Sequence, residues 1–537
     1  MSEILNIKKL VIEGLTGEKW IPIVKGVDLT LNRGEVLGLI GESGAGKSTI
    51  GLASMGYTRQ GCRIASASIN FDGMELFNAS EEVLRKIRST RIAYVAQSAA
   101  ASFNPSHRLI KQYAEAPVQH GLMNFSQAAE NATGIYKRLL MPDPDKIGYR
   151  YPHQVSGGQL QRAMVAMAMS CQPDLIIFDE PTTALDVTTQ IEVLTAIKEV
   201  ARQHNTAAIY ITHDLAVVAQ LADRIMVLRD GNLVEENECR KMLAEPKEEY
   251  TQELLAVRNF TEGKDLSTLK DEVILEVKDV TASYGGIVNV VEDIELSIKK
   301  GRTIALVGES GSGKSTLARV ITGLLPPMKG TIEYEGNPLA PALKDRDKES
   351  LRKMQMIYQM PDTALNPRQK IRKIIGRPLS FYFGLDHKAQ EQKILELLDQ
   401  IELPANYIDR FPPELSGGEK QRVCIARALA AKPDLIICDE VTSALDQLVA
   451  KEILKLLQNL QNKLNVSYLF ITHDLATVKA ISDEIVVMLQ GRIVEHGTKE
   501  EILTPPHHEY TELLLSSVPE MDPDWLENLL VKRAANG

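Results

Sequence analysis

No stretch of the 537-residue sequence stays apolar for the roughly 18–20 positions that a membrane-spanning helix needs. The opening MSEILNIKKL lacks a positive segment followed by an apolar one, so no secretory signal is expected and any membrane role is peripheral. Basic charge is scarce: 61 Lys and Arg face 71 Asp and Glu, which weighs against a dedicated nucleic-acid binder. Cysteine is sparse too. Cys62, Cys171, Cys239, Cys424 and Cys438 form no CxxC pair and no cluster with histidine, which excludes the usual zinc and iron–sulfur spacings and fits a reduced compartment. Low-complexity sequence is missing as well. Hydrophobic residues at 44% and charged residues at 25% match folded globular chains, and the length is too great for one core.

What is present is a long repeat. Gly41-Glu-Ser-Gly-Ala-Gly-Lys-Ser-Thr49 returns as Gly308-Glu-Ser-Gly-Ser-Gly-Lys-Ser-Thr316. Ser156-Gly-Gly158, Glu180, His213 and Tyr250 all return 260 positions later, as Ser416-Gly-Gly418, Glu440, His473 and Tyr510, whereas Lys47 returns as Lys314 after 267. Length changes are therefore confined to the region before Ser156. A repeat of this size is a duplicated domain, not a solenoid unit. The polar stretch 261–272 lacks apolar periodicity and reads as a linker, which divides the chain into 1–260 and 273–537. Apolar runs of four or five residues, such as Val36–Ile40, Leu175–Phe178 and Ala208–Ile211, suit strands buried on both faces. Helical patterns such as Thr189–Glu199 and Leu448–Leu460 lie between them, so each half is α/β with a parallel sheet.

Both Gly-rich strings fit G-x-x-x-x-G-K-[ST] after a buried strand. Glycine lets backbone N–H groups curl around phosphate oxygens, and the following helix adds its positive end. Candidate ATP-binding residues are Gly41, Ser43, Gly44, Gly46, Lys47, Ser48 and Thr49, and in the second half Gly308, Ser310, Gly311, Gly313, Lys314, Ser315 and Thr316. The lysines reach the terminal phosphates; Ser48 and Ser315 ligate Mg²⁺. Asp179 and Asp439 end apolar runs and would hold Mg²⁺, while Glu180 and Glu440, one residue on, would polarise the attacking water. His213 and His473, each in an Ile-Thr-His-Asp-Leu string, would contact the γ-phosphate. The charged run Lys247-Glu-Glu-Tyr250 reads as the start of a surface helix.

Val155-Ser-Gly-Gly-Gln159 and Leu415-Ser-Gly-Gly-Glu419 resemble the signature motif of ABC ATPases, and the resemblance covers nearly the whole chain, twice. It implies two tandem P-loop NTPase domains. Each has a RecA-like parallel core, an N-terminal antiparallel β subdomain and a helical subdomain, roughly 100–155 and 362–415. It also implies head-to-tail pairing, with Ser156, Gly157 and Gly158 serving the ATP on Lys314, and Ser416, Gly417 and Gly418 the ATP on Lys47. Gln97 and Gln359 match the Q-loop glutamine, a catalytic and Mg²⁺-holding position; Asp186 and Asp446 match the D-loop aspartate. Tyr284 matches the adenine-stacking aromatic. The corresponding stretch near Glu13–Leu15 holds none, and Trp20 is the available stand-in.

Tyr151-Pro-His-Gln-Val-Ser-Gly-Gly-Gln-Leu-Gln-Arg162 resembles the oligopeptide/dipeptide/nickel importer branch, as do Asn104-Pro105, Leu365-Asn-Pro-Arg368 and the two Glu-Tyr-Thr tails at Glu249 and Glu509. This implies the ATP-hydrolysing energy module of an importer for peptides or related solutes. The implied partners are two permease subunits, with an extracytoplasmic solute-binding protein in the full complex. One copy per transporter, at the cytoplasmic face of the inner membrane, and no nucleic acid are expected. The alternative is a soluble ABC-type translation factor acting on the ribosome, which calls for a longer, highly charged linker. A repair ATPase calls for zinc cysteines, and an exporter's ATPase half is the remaining reading.

Overall fold

The computed structural model describes residues 2–182, 185–203, 205–257, 271–286, 288–443 and 445–536. They form two compact units: Met1–Ala256 together with Pro519–Gly537, and Val257–Val518. Most of the expected linker 261–272 lies outside the described residues.

In the first unit the apolar runs become five-residue strands with every position buried: Val36–Ile40, Leu175–Asp179 and Ala207–Ile211. They belong to a six-stranded sheet ordered Asn232–Glu238, Arg224–Arg229, Val36–Ile40, Ala207–Ile211, Leu175–Asp179, Ile92–Val95. All neighbours are parallel except the first pair. Parallel register sends the carboxyl ends of four strands to one edge. Gly41, Gln97, Glu180 and His213 follow those ends within two residues. A separate antiparallel sheet orders Lys19–Asn32, Glu3–Thr16, Cys62–Phe71 and Met74–Glu75. Helices Leu109–Gln119 and Phe125–Arg138 form the helical part ahead of the signature turn.

The second unit repeats this plan. Its parallel strands Met354–Ile357, Leu435–Asp439, Ser467–Ile471, Thr303–Val307 and Glu484–Leu489 carry the antiparallel edge strand Arg492–Thr498. Asn289–Lys299, Val273–Ser283, Lys329–Tyr334 and Asn337–Pro338 make its antiparallel sheet. Ile371–Phe383 and His387–Gln400 are the helical counterparts.

The tail departs from the division expected from sequence. From Pro519 onward it packs with the first unit, not the second. The anchor is Gln220, only 2% exposed at the end of a short helix. Its Nε2 donates to the carbonyls of Glu520 (2.7 Å) and Asp522 (3.0 Å), and its Oε1 accepts from the Leu526 N–H at 3.0 Å. Arg240 forks onto both oxygens of Asp524, Lys198 pairs with Glu527 at 3.1 Å, and Leu526 is fully buried. One buried amide thus bonds three backbone groups of the tail, of which the Leu526 N–H is buried and would cost about 1–3 kcal/mol if left unpaired.

Removal of residues 519–537 should therefore lower the thermal midpoint of the first unit by several degrees, with a smaller drop for Gln220→Leu. Calorimetry of the full chain and the two variants checks this. An unchanged midpoint after truncation would show that the tail does not dock.

Candidate functional site

Each phosphate loop is shaped by glycine. Gly41 has φ +151°, and a Cβ there would stand 2.1 Å from the Leu228 carbonyl oxygen; at Gly308 the same atom would stand 2.2 Å from that of Met488. Gly46 and Gly313, at φ +95° and +102°, cap the helices Lys47–Ala53 and Lys314–Ile321. Both lysines are buried, at 5% and 6% exposure. Lys47 Nζ donates to the carbonyls of Gly41 (2.7 Å) and Glu42 (2.9 Å). Lys314 Nζ does the same with Gly308 (2.8 Å) and Glu309 (2.7 Å). The N–H groups of Glu42 and Glu309 donate to the hydroxyls of Tyr250 (3.3 Å) and Tyr510 (2.7 Å). These tyrosines are loop anchors. The expected surface helix start around Tyr250 conceals this role, since Tyr250 is 4% exposed. Its recurrence 260 residues on was the available signal.

Next to the loop, Ser48 Oγ donates to Asp179 Oδ1 at 2.7 Å, and Ser315 Oγ to Asp439 Oδ1 at 2.9 Å. Burial pushes the Asp439 carboxyl above its ordinary range, against the bond from Ser315. Glu180 and Glu440 each sit at φ +50°, a left-handed backbone that costs a non-glycine residue on the order of 1 kcal/mol or more. Their N–H groups bond the ends of neighbouring strands, at Ile211 and Ile471 (2.9 Å each), which holds the strained turn in place. Gln97 Nε2 donates to Glu180 Oε2 at 2.8 Å and Gln359 Nε2 to Glu440 Oε2 at 2.5 Å. His213 Nδ1 and His473 Nδ1 lie 3.3 Å from the other oxygens, Oε1. Burial works against charge on both imidazoles, yet their bonds to glutamate win and raise both pKa values. At Glu440 burial is likewise outweighed by His473, and the carboxyl is held below its ordinary value.

The signature residues stand apart from this set. Ser156 and Ser416 cap the helices Gly157–Ala168 and Gly417–Leu429 in capping boxes with Gln159 and Glu419. Among the described residues no hydrogen bond joins Ser156 to the phosphate loop of its own unit, or Ser416 to that of its own. Asp186 accepts from the Thr188 hydroxyl and the Thr189 N–H, which outweigh burial and lower its pKa; Asp446 caps Gln447–Leu464. Tyr284 reaches the helix after the second loop, with its hydroxyl 2.9 Å from Arg319 and 3.5 Å from Thr316 Oγ1. Trp20 pairs across its hairpin with Leu15 and lies under the Arg63 guanidinium, 4.3 Å from the ring centroid.

Among the described residues no group of three His, Cys, Asp or Glu side chains could hold a metal alone. A serine hydroxyl, an aspartate and a glutamine form a hard, incomplete oxygen set that suits Mg²⁺ sharing phosphate oxygens. No described helix is long and apolar enough to cross a membrane.

The sequence pattern of the ABC transporter family matches residues 24–183 and again 291–443. That of the oligopeptide/dipeptide transporter C-terminal region matches 494–536. The chain is 36% identical over 544 residues to the glutathione import ATP-binding protein GsiA of Salmonella choleraesuis, spanning 94% of this chain and 87% of that one. It is 35% identical over 565 residues to GsiA of Escherichia coli K12, spanning 97% and 90%. Among solved structures, cbiO1 from Clostridium perfringens, part of the ABC transporter complex cbiONQ, is 28% identical with a TM-score of 0.40, covering 43% of this chain and 91% of that one.

The two signature glycines separate packing from exposure. A Cβ on Gly158 would meet Thr189 Cγ2 at 2.0 Å, and on Gly418 it would meet Val449 Cγ1 at 2.5 Å, whereas around Gly157 nothing lies within 4 Å. Gly158→Ala and Gly418→Ala should each cost about 1–3 kcal/mol by overpacking. Gly157→Ala should leave the melting midpoint unchanged and reduce ATP turnover. Paired melting curves and ATPase assays check both expectations.

Proposed function

Because this chain belongs to the ABC transporter family, with the ATPase cassette present twice, we propose that it is the ATP-hydrolysing module of an importer for peptide-like solutes such as the glutathione its relatives' names give. The observation that carries the reading is the duplicated constellation at the strand ends: a buried lysine, a serine–aspartate pair, and a glutamate clamped between a glutamine and a histidine. Nothing favours the ribosomal alternative.

Each residue has a task. Lys47 and Lys314 exchange loop carbonyls for phosphate oxygens when ATP arrives. Glu180 and Glu440, fixed by two partners each, accept a proton from the attacking water. Gln97 and Gln359 keep one carboxylate oxygen aimed, and the charge-favoured His213 and His473 face the γ-phosphate. Mg²⁺, when bound with ATP, neutralises phosphate charge; Ser48, Gln97 and Asp179 would hold it at one site, Ser315, Gln359 and Asp439 at the other. Ser156–Gly158 with Asp186 complete the site of Lys314, and Ser416–Gly418 with Asp446 that of Lys47. Tyr284 stacks on adenine at the second site. ATP-driven closure of the two cassettes moves two permease subunits, to which a solute-binding protein delivers cargo. One copy of the chain, peripheral at the cytoplasmic face of the inner membrane, serves each transporter.

Three measurements test this. Glu180→Gln and Glu440→Gln should each retain ATP binding and lower turnover about a hundredfold or more, the scale of a lost general base. If Glu180→Gln left transport-coupled turnover near wild type while Glu440→Gln abolished it, hydrolysis at two sites would be wrong. Lys47→Ala and Lys314→Ala should weaken nucleotide binding itself, as read by a fluorescent ATP analogue. The mass of the intact complex should show one copy; two copies would refute the single-chain module.

A further inference from the structure

The two loops are built alike, but the aspartates beside them are not held alike. Asp179 is pinned on both oxygens: Oδ1 accepts from Ser48 at 2.7 Å and Oδ2 from the Tyr94 hydroxyl at 2.5 Å. The exposed Arg59 guanidinium stands 3.8 Å from that same Oδ2. The Asp439 carboxylate accepts from Ser315 alone; among the described residues no other hydrogen bond and no ion pair reaches that carboxylate. The difference traces to one position. Tyr94 pairs with Ile177 in its sheet, and Met356 pairs with Ile437, the equivalent ladder site three residues before Gln97 and Gln359. A thioether has no proton to donate.

An aspartate carboxylate turns easily about χ2, where the torsional wells are broad. One bond on Oδ1 leaves Asp439 able to swing. A second bond on the far oxygen fixes Asp179 with Oδ1 toward Ser48. Fixing a ligand group beforehand removes part of the ordering cost of binding.

We propose that Tyr94 is a positioning residue of the first ATP site, which holds Asp179 ready for the divalent cation and makes that site take up metal with nucleotide more tightly than the second. This rests on the reading of Ser48 and Asp179 as metal-holding groups. Arg59, solvent-exposed and at ion-pair range, adds little through a screened contact.

The test uses the full chain with one site silenced by Lys314→Ala or by Lys47→Ala. The probe is Mn²⁺, followed by electron paramagnetic resonance with a non-hydrolysable ATP analogue. Tyr94→Phe should raise the free Mn²⁺ needed for half-occupancy of the first site about fivefold, the scale of part of one charge-assisted hydrogen bond. Metal-free analogue binding and the melting midpoint should not change, which separates positioning from a general structural role. Met356→Tyr should lower the half-point at the second site. A half-point that Tyr94→Phe leaves unchanged or lowers, while Asp179→Asn raises it, overturns the inference and leaves the parent reading intact. If Asp179→Asn itself has no effect on Mn²⁺ uptake, the metal-holding reading falls and the inference with it.

Discussion

A buried ammonium organises each half of this protein. An unpaired charge in that position would be prohibitive, so Lys47 and Lys314 must be satisfied at once by carbonyl oxygens of their own loop. To turn those carbonyls inward, the chain leaves its strand through Gly41 or Gly308, where any side chain would collide with a carbonyl of the next strand. One N–H group of each loop is tied by Tyr250 or Tyr510. The arrangement is a provisional one. Charged phosphate oxygens are stronger acceptors for a lysine than backbone carbonyls, so in the proposed reading ATP replaces the loop's own atoms as partners of the ammonium.

The same edge of the sheet stores strain at the residue proposed to accept the water's proton. Glu180 and Glu440 lie at φ +50°, where glycine would sit without strain. The backbone is held by Ile211 or Ile471 on the neighbouring strand, and the carboxylate by glutamine on one oxygen and histidine on the other. Groups from two neighbouring strand ends therefore fix one residue at the end of a third. A movement of the Gln97 or Gln359 segment, which leads directly into the helical part of its unit, changes the aim of the carboxylate through a single hydrogen bond. That is a short physical route from the helices to hydrolysis.

Much of this was legible in the sequence, because short apolar runs ending in glycine or acid have few alternatives. Val36–Ile40 forms a strand over the residues expected, and the helices expected at Thr189–Glu199 and Leu448–Leu460 lie inside Val187–Gln203 and Gln447–Leu464. Other features were hidden because they depend on partners far away in sequence. Gln220 looks like any polar residue ending a short helix; only the return of the chain 300 residues later makes it an anchor. Tyr94 looks like one more residue of a β-strand until Asp179 is placed beside it. Pattern reading finds residues whose chemistry is local and misses those whose meaning is a contact.

The lack of a counterpart to Tyr284 in the first unit follows from strand length rather than from a lost residue. Leu5 and Leu275 hold equivalent places, opposite Phe71 and Tyr334. Nine residues on, the second unit has Tyr284, just past the end of Val273–Ser283, in a turn that lets its ring swing to the helix carrying Arg319 and Thr316. The first unit has Gly14 there, inside the longer strand Glu3–Thr16 and paired with Ile21 on one side and Cys62 on the other. A Cβ at Gly14 would lie 2.7 Å from Ile23 Cδ1. A side chain in a ladder points where the pleat sends it, and here the space is filled. No substitution at Gly14 restores a stacking ring without first ending the strand. Any aromatic grip on adenine in the first site must come from another segment, and Trp20, already lying under Arg63, would have to exchange that partner to supply it.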